Sequence, residues 1–247
     1  MIDYTKTLTQ DKKAYDLGLR HYMLKIYNYM AGALVLTAVV AFLSVNVEPL
    51  RSMLYVVSSS GDIVGRTVFG SMFFIVPLII AIFFGSSISS MSSRAAYILF
   101  LVYAGSIGIF CSNLILIYDS YSIVKTFFIA ASVFGATSIY GYSTNRDLTN
   151  VGSFFIMGLI GIIVVSIINF FAKSSALDFA VSLIGVAVFI GLTAWDTQKL
   201  KSMYYSHYSS NSSGVLSGNL HILGALTLYL DFINLFLHLL RFIGNRR

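Results

Sequence analysis

Residues 224–241 read GALTLYLDFINLFLHLLR. The run is apolar enough to sit in lipid, yet Asp231 stands in its middle. Gly224, Thr227, Asp231, Asn234, His238 and Arg241 follow one another at steps of 3, 4, 3, 4 and 3. Residues so spaced share one face of a helix. The stretch therefore predicts a membrane helix with a single polar stripe. Asp231 sits about 15 Å along the helix from Arg241. A carboxyl at that depth is costly unless it is neutral, paired or hydrated, so it marks a candidate functional site.

The rest of the chain agrees with a membrane setting. Of its 247 residues, 57% are hydrophobic and 11% charged, against about 25% charged in a soluble domain. Mean hydropathy is +0.82. The apolar runs are long and continuous, unlike the short alternating segments of a β-barrel. The net charge of +6 does not point to nucleic acid, because Lys and Arg lie between the apolar runs and not in one patch. The first 25 residues form a polar arm with five basic residues and no early apolar core, so no cleavable leader is expected. Cys111, the only cysteine, excludes an intrachain disulfide and any multi-cysteine metal site.

At about 20 apolar residues per crossing, seven spans are predicted, at 26–45, 67–85, 95–117, 123–143, 152–172, 179–198 and 220–243. The fold class is an all-α, seven-transmembrane-helix bundle: an arm over 1–25, then one domain over 26–247. Short connections predict that consecutive helices pack as antiparallel neighbours. The longest connections are 46–66 and 199–219, and SHYSSNSSG in the second reads as a mobile loop. Pro77 is expected to kink the second span. With the N-terminus inside, nine Lys and Arg fall on the inner side and seven on the outer, which favours a cytoplasmic N-terminus. Gly105, Gly108 and Ser112 in the third span, and Ala131, Gly135 and Ser138 in the fourth, are spaced to let helix backbones approach. So are Gly158 and Gly161 in the fifth. Asn145, Asp147 and Thr149 read as a stabilised turn before the fifth span.

Asp196, in GLTAWDTQKL, closes the predicted sixth span. For it to touch Asp231, it must be drawn inward, or the last helix must begin within the membrane. Two carboxyls in contact resist double ionisation and share one proton. Such a pair serves as a proton sensor, a cation site or an acid–base couple; calcium, a hard cation, favours carboxylate oxygens. Three readings follow. A channel or leak pathway would use the stripe, with Thr227, Asn234 and His238 as lining residues. An intramembrane aspartyl protease would use the two aspartates, but its GxGD signature and later PAL turn are missing: LYL precedes Asp231, and Pro49 and Pro77 are the only prolines. A regulatory protein would use the bundle to modulate a partner in the membrane.

KIYNYMAGALVLTA, GYSTNRDLTNVGSFF, AWDTQ and, above all, ALTLYLDFINLFLHLLRF carry a further signal. Together they resemble the bacterial branch of the Bax-inhibitor family (transmembrane Bax inhibitor motif). The resemblance implies a seven-helix bundle whose last helix is central, surrounded by the other six. It also implies a pH-sensitive calcium leak, not an enzyme, in which Asp196 and Asp231 form the proton sensor. Arg94 matches the family's latch arginine. The implied ligands are calcium and protons, with no cofactor. The implied setting is a bacterial inner membrane, with the bilayer and a membrane-protein partner such as a protease as neighbours.

Overall fold

A computed structural model describes residues 4–59, 62–87, 90–210 and 218–247. The chain is almost wholly helical, in the order α1 (Tyr4–Asn46), α2 (Glu48–Leu54), β1 (Tyr55–Val57), β2 (Ile63–Arg66), α3 (Val68–Met72), α4 (Val76–Ser87), α5 (Ser93–Ile117), α6 (Ser120–Ser143), α7 (Thr149–Ala172), α8 (Ser175–Ser210) and α9 (Gly218–Ile243). Six of these are long and apolar enough to cross a membrane: α1, α5, α6, α7, α8 and α9.

The expected second span is the exception. Residues 67–85 form two short helices, α3 and α4, with a turn at 73–75 between them. Pro77 lies in the first turn of α4, where its missing N–H costs no helical bond. In a helix continuing from α3 the Pro77 ring would clash with the Phe73 carbonyl one turn back, so the chain breaks at 73–75 and does not kink. The 46–66 connection is not a plain loop either. It holds α2 and a small antiparallel hairpin that pairs Tyr55 with Arg66. The Arg66 guanidinium lies 4.5 Å from the centre of the Phe74 ring, and the Tyr55 hydroxyl meets Ser112 Oγ at 2.6 Å.

Two further boundaries move. From Tyr4 onward the polar arm is helical and continuous with the first span, with Leu19, Tyr22 and Met23 buried. α8 runs twelve residues past the expected end at 198, to Ser210. No glycine or proline interrupts the chain between Leu192 and Ser213, so nothing stops the helix where its apolar face ends. The remainder of the expected mobile loop, 211–217, lies outside the described residues.

α9 is the centre of the bundle. In its most apolar stretch 67% of residues are buried, against 11–39% in the other five long helices. Its main packing partners are α1, α5, α6 and α8. It is therefore held chiefly by four helices and not six: α7 packs on α8, and α4 on α5. Sequence neighbours are also not always spatial ones. α1 packs along α5, and α6 along α8 and α9, while α5 and α6 barely meet beyond their turn. The C-terminal tail occupies that turn. Tyr118 and Arg246 form an antiparallel bridge, and the Asn245 amide donates to Ser122 Oγ at 3.1 Å.

A polar knot ties three helices at mid-bundle. The Tyr229 and Thr37 hydroxyls lie 2.7 Å apart, and Thr37 Oγ1 reaches the Ala104 carbonyl at 2.9 Å. Tyr229 donates to Thr37, which frees the Thr37 proton for the carbonyl. The small residues divide into two groups. Gly108 and Gly158 lie against Val40 and Val188, and Gly141, which the spacing argument did not include, lies against the Ala194 backbone. A side chain on Gly105, Gly135 or Gly161 would meet open space, so these three do not serve close approach.

This division is testable by thermal unfolding in detergent. Gly141→Val forces α6 off α8 and destabilises the fold by about 1–3 kcal/mol, the usual cost of overpacking. Gly135→Ala keeps or raises the midpoint, because alanine is the better helix former by about 1 kcal/mol.

Candidate functional site

Asp196 and Asp231 meet. α8 and α9 run antiparallel in a register fixed by two glycines. Gly224 of α9 packs under Leu200 and Ile26, and Gly185 of α8 packs under the His238 ring. Between these contacts the two carboxyls come within hydrogen-bonding reach of each other. The sequence left two routes to this contact, and the extension of α8 supplies the first. Asp196 is an interior residue of a long helix, about 21 Å from its C-terminal end. Both aspartates are buried, at 8% and 5% exposure.

The chemistry follows from the geometry. An ionised carboxylate only accepts hydrogen bonds, so two of them bond to each other only when one carries a proton. Oδ2 of Asp231 is buried without a hydrogen-bond partner. A full charge there is strongly disfavoured. Two buried carboxyls this close favour sharing one proton over double ionisation.

The stripe beyond Asp231 is less open than its spacing suggests. Thr227 Oγ1 donates to the Leu223 carbonyl at 3.0 Å, and Asn234 Nδ2 to the Leu230 carbonyl at 2.8 Å. Both side chains are half-buried and bonded within their own helix. His238 is buried and stacks on Phe189, with ring centres 5.6 Å apart. It belongs to the α8–α9 contact. Arg241 is exposed and lines a cavity of about 750 Å³ at the C-terminal end of α9, together with Lys173, Arg246 and Asp178. Arg94 lies exposed in the first turn of α5, and among the described residues no ion pair joins it to either aspartate.

At the other end, the turn between α6 and α7 is clasped by α8. Gln198 Oε1 accepts from the Leu148 amide at 2.8 Å, and its Nε2 donates to the Arg146 carbonyl at 2.7 Å. Lys201 Nζ donates to the Tyr142 carbonyl at 3.0 Å. A polar recess of about 470 Å³ opens there, lined by Arg146, Asp147, Gln198, Lys199 and Trp195, the residue before Asp196 in the chain. Sequence reading assigned nothing to Gln198, although it stands in the AWDTQ motif. It also missed the Thr37–Tyr229 knot, for which a tyrosine inside an apolar helix was the available signal. Among the described residues no group of three or more His, Cys, Asp or Glu is placed to hold a metal ion.

The fold defines an almost wholly helical membrane protein, with a buried pair of carboxyls between α8 and α9. Residues 19–247 match the family described as "Inhibitor of apoptosis-promoting Bax1", and the chain belongs to that Bax inhibitor family. It is similar over its full length to a protein of Rickettsia prowazekii described as uncharacterized, at 55% identity over 100% of both chains. It is 43% identical to the inner membrane protein YbhL of Escherichia coli, over 93% of this chain and 94% of that one. Identity to the uncharacterized protein YrjE of Lactococcus lactis is 34%, over 92% of each. The family resemblance read from the last helix is therefore correct.

The turn before α7 gives a pH prediction. Asp147 Oδ1 accepts from Thr149 Oγ1 at 2.6 Å and from the Thr149 amide at 2.9 Å. These bonds, the hydroxyl first, hold its carboxyl below the usual carboxylate range. Its contribution is therefore present above about pH 3.9 and is lost as pH falls through the lowered value. Thr149→Val moves the Asp147 titration back up towards the ordinary range, as measured by NMR of the labelled carboxyl.

Proposed function

We propose that the protein is a proton-regulated calcium leak of the bacterial inner membrane. The observation that carries this reading is the buried contact between Asp196 and Asp231. A shared proton holds α8 to α9 and keeps the pathway closed. As pH rises the proton leaves, both carboxylates ionise, and they repel. Two unit charges about 4 Å apart repel by on the order of 4 kcal/mol at an effective dielectric near 20. A near-complete switch between two states takes about 5.5 kcal/mol, so repulsion alone supplies most of the bias. Cation binding between the separated carboxylates supplies more.

The surroundings support an asymmetric path. The recess next to Trp195 holds the Asp147 carboxylate against Arg146 and Lys199, so its positive excess is the smaller of the two and makes it the easier side for a cation to enter. The cavity at the far end has Lys173, Arg241 and Arg246 against Asp178, and its positive excess forms an electrostatic barrier to cations. On this reading α3 and α4 together make the seventh crossing, and the N-terminus is cytoplasmic. YbhL is named an inner membrane protein, which favours the same location here. Arg94 acts as a latch only after α8 has moved, because it is not at the pair in the closed arrangement.

Calcium flux into dye-loaded liposomes tests the reading. Wild-type flux rises with pH. Asp196→Asn and Asp231→Asn each abolish the pH response, and Arg241→Gln raises flux by lowering the exit barrier. Flux and pH dependence unchanged in both asparagine variants would remove the dyad from the mechanism. Cleavage of a transmembrane peptide, lost in both variants, would replace the leak with an aspartyl protease.

A further inference from the structure

α1 and α6 scarcely touch, although both pack on α9. The space between them is a trough in two parts, of about 610 and about 630 Å³. The parts share Leu34, Phe127 and Phe232, so the trough is continuous and α9 forms its floor. From Arg20 to Phe42 it follows about 33 Å of α1, close to the ~30 Å of a bilayer's hydrocarbon core. Its sides open to where lipid lies: Leu24, Val39, Phe128 and Ile139 are exposed.

Two features separate this trough from an ordinary gap between helices. The first is its width. Gly135 lines it, and a side chain there would meet nothing within 4 Å. Small residues at 131, 135 and 138 therefore keep a channel open for something other than a neighbouring helix of this chain. The second is charge. Arg20 lines the mouth of the first part, beside Tyr142. Lys201 does not line the trough but is held next to this mouth by Tyr142, with its Nζ 3.0 Å from the Tyr142 carbonyl and 5.4 Å from the centre of its ring. Among the described residues neither cation pairs with a carboxylate. The lining of the second part includes no charged residue. The trough is thus apolar along its length and cationic at one end, with Tyr27 and Tyr142 where aromatic rings meet headgroups.

We propose that this trough is a binding site for one anionic phospholipid. An acyl chain lies along Ala131, Gly135 and Phe232, and the phosphate sits against Arg20 and Lys201. Basic residues at a membrane surface select anionic lipid, each by about fivefold. The site is separate from the carboxyl pair, which lines neither part of the trough.

The test uses the full chain reconstituted in vesicles of equal phosphatidylcholine and phosphatidylglycerol, then extracted in mild detergent. Native mass spectrometry counts the lipids that stay bound. The expected result is one retained phosphatidylglycerol in preference to phosphatidylcholine. Arg20→Ala lowers that preference about fivefold, and Arg20→Lys keeps it. Gly135→Leu fills the trough and loses both lipids. Its helix content and thermal midpoint stay unchanged, because the new side chain meets open space. Arg20→Ala, an exposed change, keeps the test decisive should Gly135→Leu not fold. Equal retention of the two lipids by the wild type would overturn the proposal. So would retention indifferent to Arg20→Ala. A dimer that Gly135→Leu splits would make a second copy the occupant, and would overturn it too.

Discussion

Two carboxyl groups cannot both stay ionised in contact inside a helical bundle. Desolvation and mutual repulsion oppose it together. That constraint governs the contact between Asp196 and Asp231, and through it the contact between α8 and α9. Helix association in lipid lacks the hydrophobic force that drives it in water, and rests on packing and polar contacts. Here both are present at one seam. Gly185 and Gly224 let the helices approach, and the carboxyl pair sits between those close contacts. On the proposed reading a single proton decides whether the seam is attractive or repulsive.

The rest of the bundle is arranged so that this choice is felt. α9 is held by α1, α5 and α6 as well as α8. The Thr37–Tyr229 knot and the tail bridge at Tyr118 fix it to α1, α5 and the turn before α6. α8 carries α7 on its outer side and clasps the α6–α7 turn through Gln198. Repulsion at the pair consequently acts between an anchored α9 and an α8 that takes other elements with it. The cavities at the two ends are both lined with more cations than anions, and the excess is larger at the C-terminal end of α9.

The last helix was legible because its polar residues recur at steps of 3 and 4, and only a central helix buries such a stripe. The run across 225–242, with three shorter stretches, carried the resemblance to the family, and the family match over residues 19–247 bears it out. Boundaries were less legible. Apolar composition ends near residue 198, but α8 continues because helix propensity does not stop with hydropathy, and that extension makes the Asp196 contact possible. Pro77 was visible, but its place in a first turn was not, so a break was read as a kink. Glycine spacing was the weakest guide. Gly108 and Gly135 sit in the same kind of pattern, yet one meets a packed helix and the other an open trough. What lies opposite a residue is a tertiary fact. The same limit applies to His238, whose stripe position suggested a pathway, while Phe189 and Gly185 bury it.

The central claim is that Asp196 and Asp231 share one proton in the closed bundle. Infrared difference spectroscopy across a pH titration reads that proton directly, through the carbonyl stretch of a buried carboxylic acid. The account predicts such a band at low pH, its loss as pH rises in step with calcium flux, and in Asp196→Asn and Asp231→Asn a band of the single remaining carboxyl, shifted in frequency and titration and no longer linked to flux. A wild-type spectrum without the band, or a band whose frequency and titration are the same in both variants as in the wild type, would contradict it.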